Sequence, residues 1–313
     1  MDFAFQFSIF TSSILNIPAL LSGHKCMIEQ YHLGLPMWAH KLWVGEFYAP
    51  KTPKNKLLAE YASVFNSVEG NTTFYANPKP ETIQRWKDET NEKFKFCFKF
   101  PQVITHQRKL SHIREELLEF LKLLDPIQDR LGPFLIGLPS TFEPRSMDAL
   151  DEFLKLLPKE LPCAVEFRHP AFFKDAEETT NKFLEDRQVD RVLFHTDTLL
   201  NAETDDPELM ASQRSKPRVP HRTYATGNHP FVQFVGPPNV VDNHPHLESW
   251  ADVTGNWINE GREPYIFIHH APSDFYAPRL ATDFHKMLSS RTNVGDIPSW
   301  PIDRRNQEQL SLF

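Results

Sequence analysis

Cysteine is scarce in this chain, with three residues in 313, Cys26, Cys97 and Cys163. They show neither metal-ligand spacing nor an even disulfide set, and two sit inside apolar, strand-like runs. That pattern fits reduced core thiols and a cytoplasmic location. No G-x-G-x-x-G turn occurs, which argues against the dinucleotide-binding sheet that uses one. No H-E-x-x-H pair is present either. Positive charge is not in excess: the net charge is −7, so the chain as a whole gives no argument for nucleic acid. Phe3 to Leu21 contains no Lys or Arg, so the positive start of a signal peptide is missing. Ser8, Thr11, Ser12, Ser13, Asn16 and Pro18 also break that run as a membrane span. Regular patterning starts after Met27, which points to translation from Met27 and an extension, 1–26, from a mis-assigned start. A weak signal or a membrane-surface segment is the alternative.

What is present is ordinary for a globular chain: 40% hydrophobic, 24% charged and 12% aromatic residues, the last mostly through 26 Phe. Apolar, strand-like runs recur at Ile28–Leu33, Val64–Glu69, Phe94–Phe100, Pro133–Leu138, Cys163–Phe167, Arg191–His195, Phe231–Val235 and Tyr265–His269. Helical spacing fills the intervals at Pro53–Phe65, Pro80–Lys87, His112–Leu124, Ser146–Leu157, Asp175–Arg187, Leu247–Glu260 and Pro278–Ser289. Ser146 is a candidate N-cap. Leu200–Pro230 reads as a long polar insertion bearing prolines. Eight strands alternating with helices predict a (β/α)8 TIM-type barrel over 27–289, with an open doubly wound sheet as runner-up. A flexible tail, 290–313, is expected to follow.

In such a barrel the C-terminal ends of the strands face one site. The residues there are Trp38, Glu69, Asn71, Lys99, His106, Glu166, Arg168, His169, Asp197, Gln233, His269 and His270. A purely structural sheet would end mostly in turn residues, so this many ionisable groups at equivalent positions points to chemistry. Glu69 and Glu166 are candidates for a paired acid and base whose environments separate their pKa values. Lys99 would hold one of them ionised or bind an anion, and Arg168 suits a phosphate or carboxylate. His169 and Asp197 complete the catalytic set. A divalent metal is compatible with the Glu, His and Asp residue types, although no ligand spacing specifies one. His269 and His270 are neighbours on a strand, so only one of them can face the site.

Charge is segregated. Lys93–Arg114 carries Lys93, Lys95, Lys99, Arg108, Lys109 and Arg114 without an acidic residue, and Met210–Val241 is acid-free with Arg214, Lys216, Arg218 and Arg222. A positive rim suits an anionic substrate, with a nucleic-acid backbone as one candidate. Solvated loops balanced by acidic helices are the alternative. Phe74, Tyr75, Phe172, Phe173, Phe275 and Tyr276 follow strands and can stack bases or sugars, or pack on each other.

The blocks Trp43–Tyr48, Val68–Tyr75, Phe98–His106, Leu138-Pro139 and Val165–His169, in that order, resemble the YecE-like family (domain of unknown function 72). The resemblance spans 28–289 and implies a TIM-type barrel; it supplies no reaction. Two segments depart from it. Gly34-Leu35-Pro36-Met37-Trp38 stands where many members have a Gly-x-x-Gly-Trp turn, and His269–Asp274 where many have an asparagine-rich one. The chain ends Gln309-Leu310-Ser311-Leu312-Phe313. This resembles the peptide by which bacterial proteins dock on the DNA polymerase III sliding clamp, with Leu312 and Phe313 as apolar anchors and Gln309 as a polar hook. The first expectation is therefore a hydrolase or lyase on a phosphodiester or damaged nucleotide, brought to DNA by the clamp. An enzyme on a sugar or sugar phosphate, and a non-catalytic ligand-binding adaptor, are the rivals.

Overall fold

The computed structural model describes residues 28–310. Eight parallel strands form one curled sheet in the order β3-β2-β1-β8-β7-β6-β5-β4. They are β1 His32–Leu35, β2 Ser67–Gly70, β3 Lys95–Phe98, β4 Phe134–Gly137, β5 Cys163–Glu166, β6 Asp190–His195, β7 Phe231–Gly236 and β8 Tyr265–His270. The outer strands β3 and β4 approach each other through single bridges at Phe96–Leu131 and Lys99–Leu135. The architecture is an α/β fold with a barrel-like, curled parallel sheet. Strand alternation sorts the residues between its faces. On β3, Phe96 and Phe98 stack on Trp86 in the layer beneath the helices, whereas Lys99 reaches Glu166 on the concave face. Each fully buried Phe contributes roughly 2–3 kcal/mol, so this layer helps hold α2 against the sheet.

The helices are α1 Leu57–Ala62, α2 Pro80–Glu89, α3 Arg114–Leu124, α4 Met147–Leu156, α5 Glu177–Glu185, α6 Asp197–Leu200, α7 Pro207–Ser215, α8 His244–Asn259, α9 Ala277–Ser289 and α10 Pro301–Leu310. Proline stands in the first turn of α2, α7, α8 and α9, where its missing N–H costs nothing. Ser146 sits before α4, but its side chain makes no capping bond.

Two stretches differ from the sequence reading. The polar insertion holds α6 and α7; Asp206 caps α7 by accepting from the Glu208 amide at 2.9 Å. Leu209 of α7 joins Leu199, Val235 and Ala271 in a small separate core at the ends of β7 and β8. The tail is likewise not irregular throughout. Trp300 packs edge-on against Phe47 and donates to Thr282 Oγ1 at 3.1 Å, and α10 follows. Arg304 of α10 bonds Ser63 Oγ at 2.5 Å, at the end of α1. Of the terminal motif, Gln309 and Leu310 close α10; Leu312 and Phe313 lie outside the described residues, as does the extension 1–26.

Candidate functional site

Two buried carboxylates organise the concave face at the C-terminal ends of the strands. Glu166, the last residue of β5, is 1% exposed. Its Oε2 accepts from Lys99 Nζ at 2.8 Å and its Oε1 from Arg168 Nε at 2.5 Å. Burial alone would push this carboxyl up; Lys99 and Arg168 outweigh it and hold the group down at about 2. Glu69, on β2, is also buried. Its Oε1 accepts from Gln233 Nε2 at 2.8 Å and its Oε2 meets His269 Nε2 at 3.0 Å. Burial again works upward, but His269, Lys99 and Asn71 leave the carboxyl below its usual range.

Both carboxyls are thus held below their usual range, and each of their oxygens has a hydrogen-bond partner. They act as fixed negative charges that hold Lys99, Arg168, Gln233 and His269 in place.

Lys99 has room because position 137 carries no side chain. A β-carbon on Gly137 would lie 2.3 Å from Lys99 Cε and 2.9 Å from Nζ. Parallel pairing sets Gly137 beside Glu166, so the gap opens beside the carboxylate. Sequence reasoning missed this residue, since nothing marks one strand-end glycine among others.

His106 sits on a single π-turn, Val103–Gln107, after β3; such turns are frequent at functional sites. Its Nδ1 meets Thr105 Oγ1 at 2.9 Å. Burial, Lys99 and Arg168 together push its pKa down, so the ring is neutral near pH 7. Phe74 stands edge-on to His106 at 5.0 Å, with Lys99 Nζ 5.3 Å from its ring centre. Tyr75 is largely exposed.

The other strand-end residues have the following neighbours. Trp38 packs edge-on against Trp86 and Phe96, in the aromatic layer under α2. His169 Nδ1 accepts from the Ala171 amide at 3.3 Å and caps the turn that follows. Asp197 opens α6 and faces His221 electrostatically. His270 points away from Glu69, meeting the Pro238 carbonyl at 3.0 Å. Phe172 and Phe173 are buried as packing. Part of the basic rim is neutralised, Arg108 by Glu116 and Arg222 by Glu177. Sequence reasoning also missed a crowd of imidazoles behind β6: His195, with His221 and His246 each 4.9 Å away. Neither ring nitrogen of His195 has a hydrogen-bond partner. Among the described residues, no group of three or more His, Cys, Asp or Glu side chains is arranged to hold a metal. A groove of about 560 Å³ lined by Trp43, Phe47, Tyr276 and Trp300 contains none of the strand-end carboxylates.

A curled parallel α/β sheet with charged groups gathered at the C-terminal ends of its strands defines a barrel-like α/β protein. The chain belongs to the family described as "Protein of unknown function DUF72", whose model matches residues 32–303. The match runs beyond α9 and into α10. The UPF0759 protein YecE of Escherichia coli K12 is 37% identical over 285 residues, covering 90% of this chain and 99% of that protein. The UPF0759 protein YunF of Bacillus subtilis 168 is 32% identical over 149 residues, 45% of this chain and 52% of that protein. Crystal structures of DUF72 proteins carry the same fold. One from Enterococcus faecalis has a TM-score of 0.64 at 20% identity, covering 83% of this chain and 95% of its own. One from Thermotoga maritima has a TM-score of 0.64 at 22% identity, covering 83% and 99%.

Proposed function

We propose that this chain is a (β/α)8 TIM-type barrel enzyme, a hydrolase or lyase, acting on a phosphate ester or phosphodiester. The bridges between β3 and β4 support closure of the sheet. The observation that carries the function is the Lys99–Glu166–Arg168 cluster beside a neutral His106. Arg168 uses Nε for Glu166, which leaves its two terminal nitrogens for a planar, bidentate grip on a phosphate. Lys99 supplies a second fixed positive charge. Both are held by Glu166 before the ligand arrives, so little reorganisation is needed as charge develops in the reaction. His106, uncharged at neutral pH, takes the proton of the water that attacks phosphorus and returns it to the alcohol oxygen as the P–O bond breaks; in a lyase it takes the proton from the carbon next to the C–O bond that breaks to release the phosphate. Glu69 holds Gln233 and His269 through its two oxygens.

The protein is read as cytoplasmic; among the described residues no helix is long and apolar enough to cross a membrane. The terminal Gln309–Phe313 peptide supports recruitment by the sliding clamp, which would raise the local concentration of the barrel at DNA. Turnover of a panel of phosphate esters, sugar phosphates and oligonucleotides tests the assignment. His106→Asn and Arg168→Ala are expected to abolish turnover while the protein stays folded. Full activity in both variants would remove the proposed roles.

A further inference from the structure

Tyr75 is the most exposed large hydrophobic side chain among the described residues, at 74%. It does not hang on a loose loop. The turn Asn71–Phe74 follows β2 directly, and the buried Thr73 hydroxyl bonds both the Gly70 carbonyl at 3.0 Å and the Lys99 carbonyl at 2.7 Å. The Tyr75 amide donates to the Thr72 carbonyl at 3.1 Å. The turn that carries the ring is thus tied to the backbone of the residue whose ammonium holds Glu166. Phe74 fills the interval: its ring centre is 5.3 Å from Lys99 Nζ and 5.1 Å from the Tyr75 ring, which stands at 88° to it. Most aromatic rings among the described residues are buried, so an uncovered one at the end of a pinned turn, one ring away from Lys99, is available to a flat partner.

We infer that the ligand of this site is a nucleotide unit, whose phosphate meets Lys99 and Arg168 and whose base stacks on Tyr75. The inference rests on the anion-binding role proposed above and adds the base. Phe74 lies between the two subsites, in contact with Tyr75 and near Lys99. Recognition by one exposed ring is tolerant of base identity, because every base offers a π face. A sugar phosphate offers Tyr75 no aromatic face to stack on.

The test is equilibrium binding to the full-length protein of four probes: inorganic phosphate, ribose 5-phosphate, AMP and a 5′-phosphorylated oligothymidylate. AMP is expected to bind roughly tenfold more tightly than ribose 5-phosphate, in keeping with one base–aromatic stack. Tyr75→Ala should erase that difference without changing phosphate binding, and Tyr75→Phe should keep it. Tyr75 is exposed, so truncating it leaves the core intact. Equal affinity of the wild-type protein for AMP and ribose 5-phosphate would overturn the base subsite alone. Failure of all four probes to bind would overturn the anion site together with it. Tighter binding of the oligonucleotide than of AMP assigns the nucleotide to a polymer end, and equal binding assigns it to a free nucleotide.

Discussion

Replacing Gly137 by alanine should disable the site while sparing the fold. The added β-carbon would stand 2.3 Å from Lys99 Cε, 2.9 Å from Nζ and 3.6 Å from Glu166 Oε2. Carbon atoms need about 3.5 Å, so the end of Lys99 must retreat by roughly 1 Å or more. That end is flexible and can swing, so no backbone strain follows. Alanine in place of a strand glycine even returns roughly 0.5–1 kcal/mol. The Lys99–Glu166 contact of 2.8 Å would open past hydrogen-bonding range. A hydrogen bond to a charged group is worth roughly 1.5–3 kcal/mol, equivalent to about 1 to 2 pH units. The Glu166 carboxyl, held at about 2 in the wild type, should therefore titrate closer to 3 or 4. Carbon-13 NMR of glutamate-labelled protein reads this directly, and a thermal melt reads the fold. An unchanged Glu166 titration in the alanine variant would refute the reasoning, because the side chain at 137 would then not touch the ion pair. A collapse in melting temperature would show that the gap serves packing instead.

Other outcomes follow from the same charges. Glu166→Gln leaves Lys99 and Arg168 without their counter-charge; because Arg168 is partly exposed and solvent screens it, the cost in urea unfolding at pH 7 should be about 1 to 3 kcal/mol. Glu166 has a depressed folded-state pKa, so its stabilisation is fully present above 4.5 and is lost as pH falls through about 2; the gap between wild type and variant should close over that window. Asp190 shows the opposite sign. Burial pushes its carboxyl from 3.8 up to about 7, so ionising it handicaps the fold increasingly between those values. Asp190→Asn should therefore gain stability relative to wild type as pH rises to 8, by at most about 4 kcal/mol, whereas a difference that does not vary with pH would contradict the burial argument. A peptide of the last fifteen residues should bind the sliding clamp, and Leu312→Ala/Phe313→Ala should abolish binding; equal affinity of the two peptides would remove the clamp from the account.

The order of strands and helices was legible in the chain because apolar runs such as Phe231–Gly236 and Tyr265–His270 leave few other ways to bury their side chains. Boundaries moved by a few residues: β1 begins at His32 and β2 at Ser67, later than the apolar runs that announce them, since hydrophobicity does not record where pairing starts. The helix α7 was hidden because Leu209 is its one buried side chain, too little to produce a periodic pattern. At the site, residue types were legible and partnerships were not. Glu69 and His269 lie 200 positions apart, and only strand register brings them together. Trp38 and His169 carried the right chemistry at the right strand ends, yet one went to the aromatic layer and the other to a turn cap. Gly137 shows the reverse case, a position whose contribution is the space it leaves beside Lys99.

The proposed anion site is tested most directly by a crystal structure of the full-length protein grown with saturating inorganic phosphate. The account predicts one phosphate bonded to the terminal nitrogens of Arg168 and to Lys99, with the His106 ring alongside and the Glu166 contacts kept. Phosphate bound elsewhere with this cluster empty, or no bound phosphate at all, would contradict it.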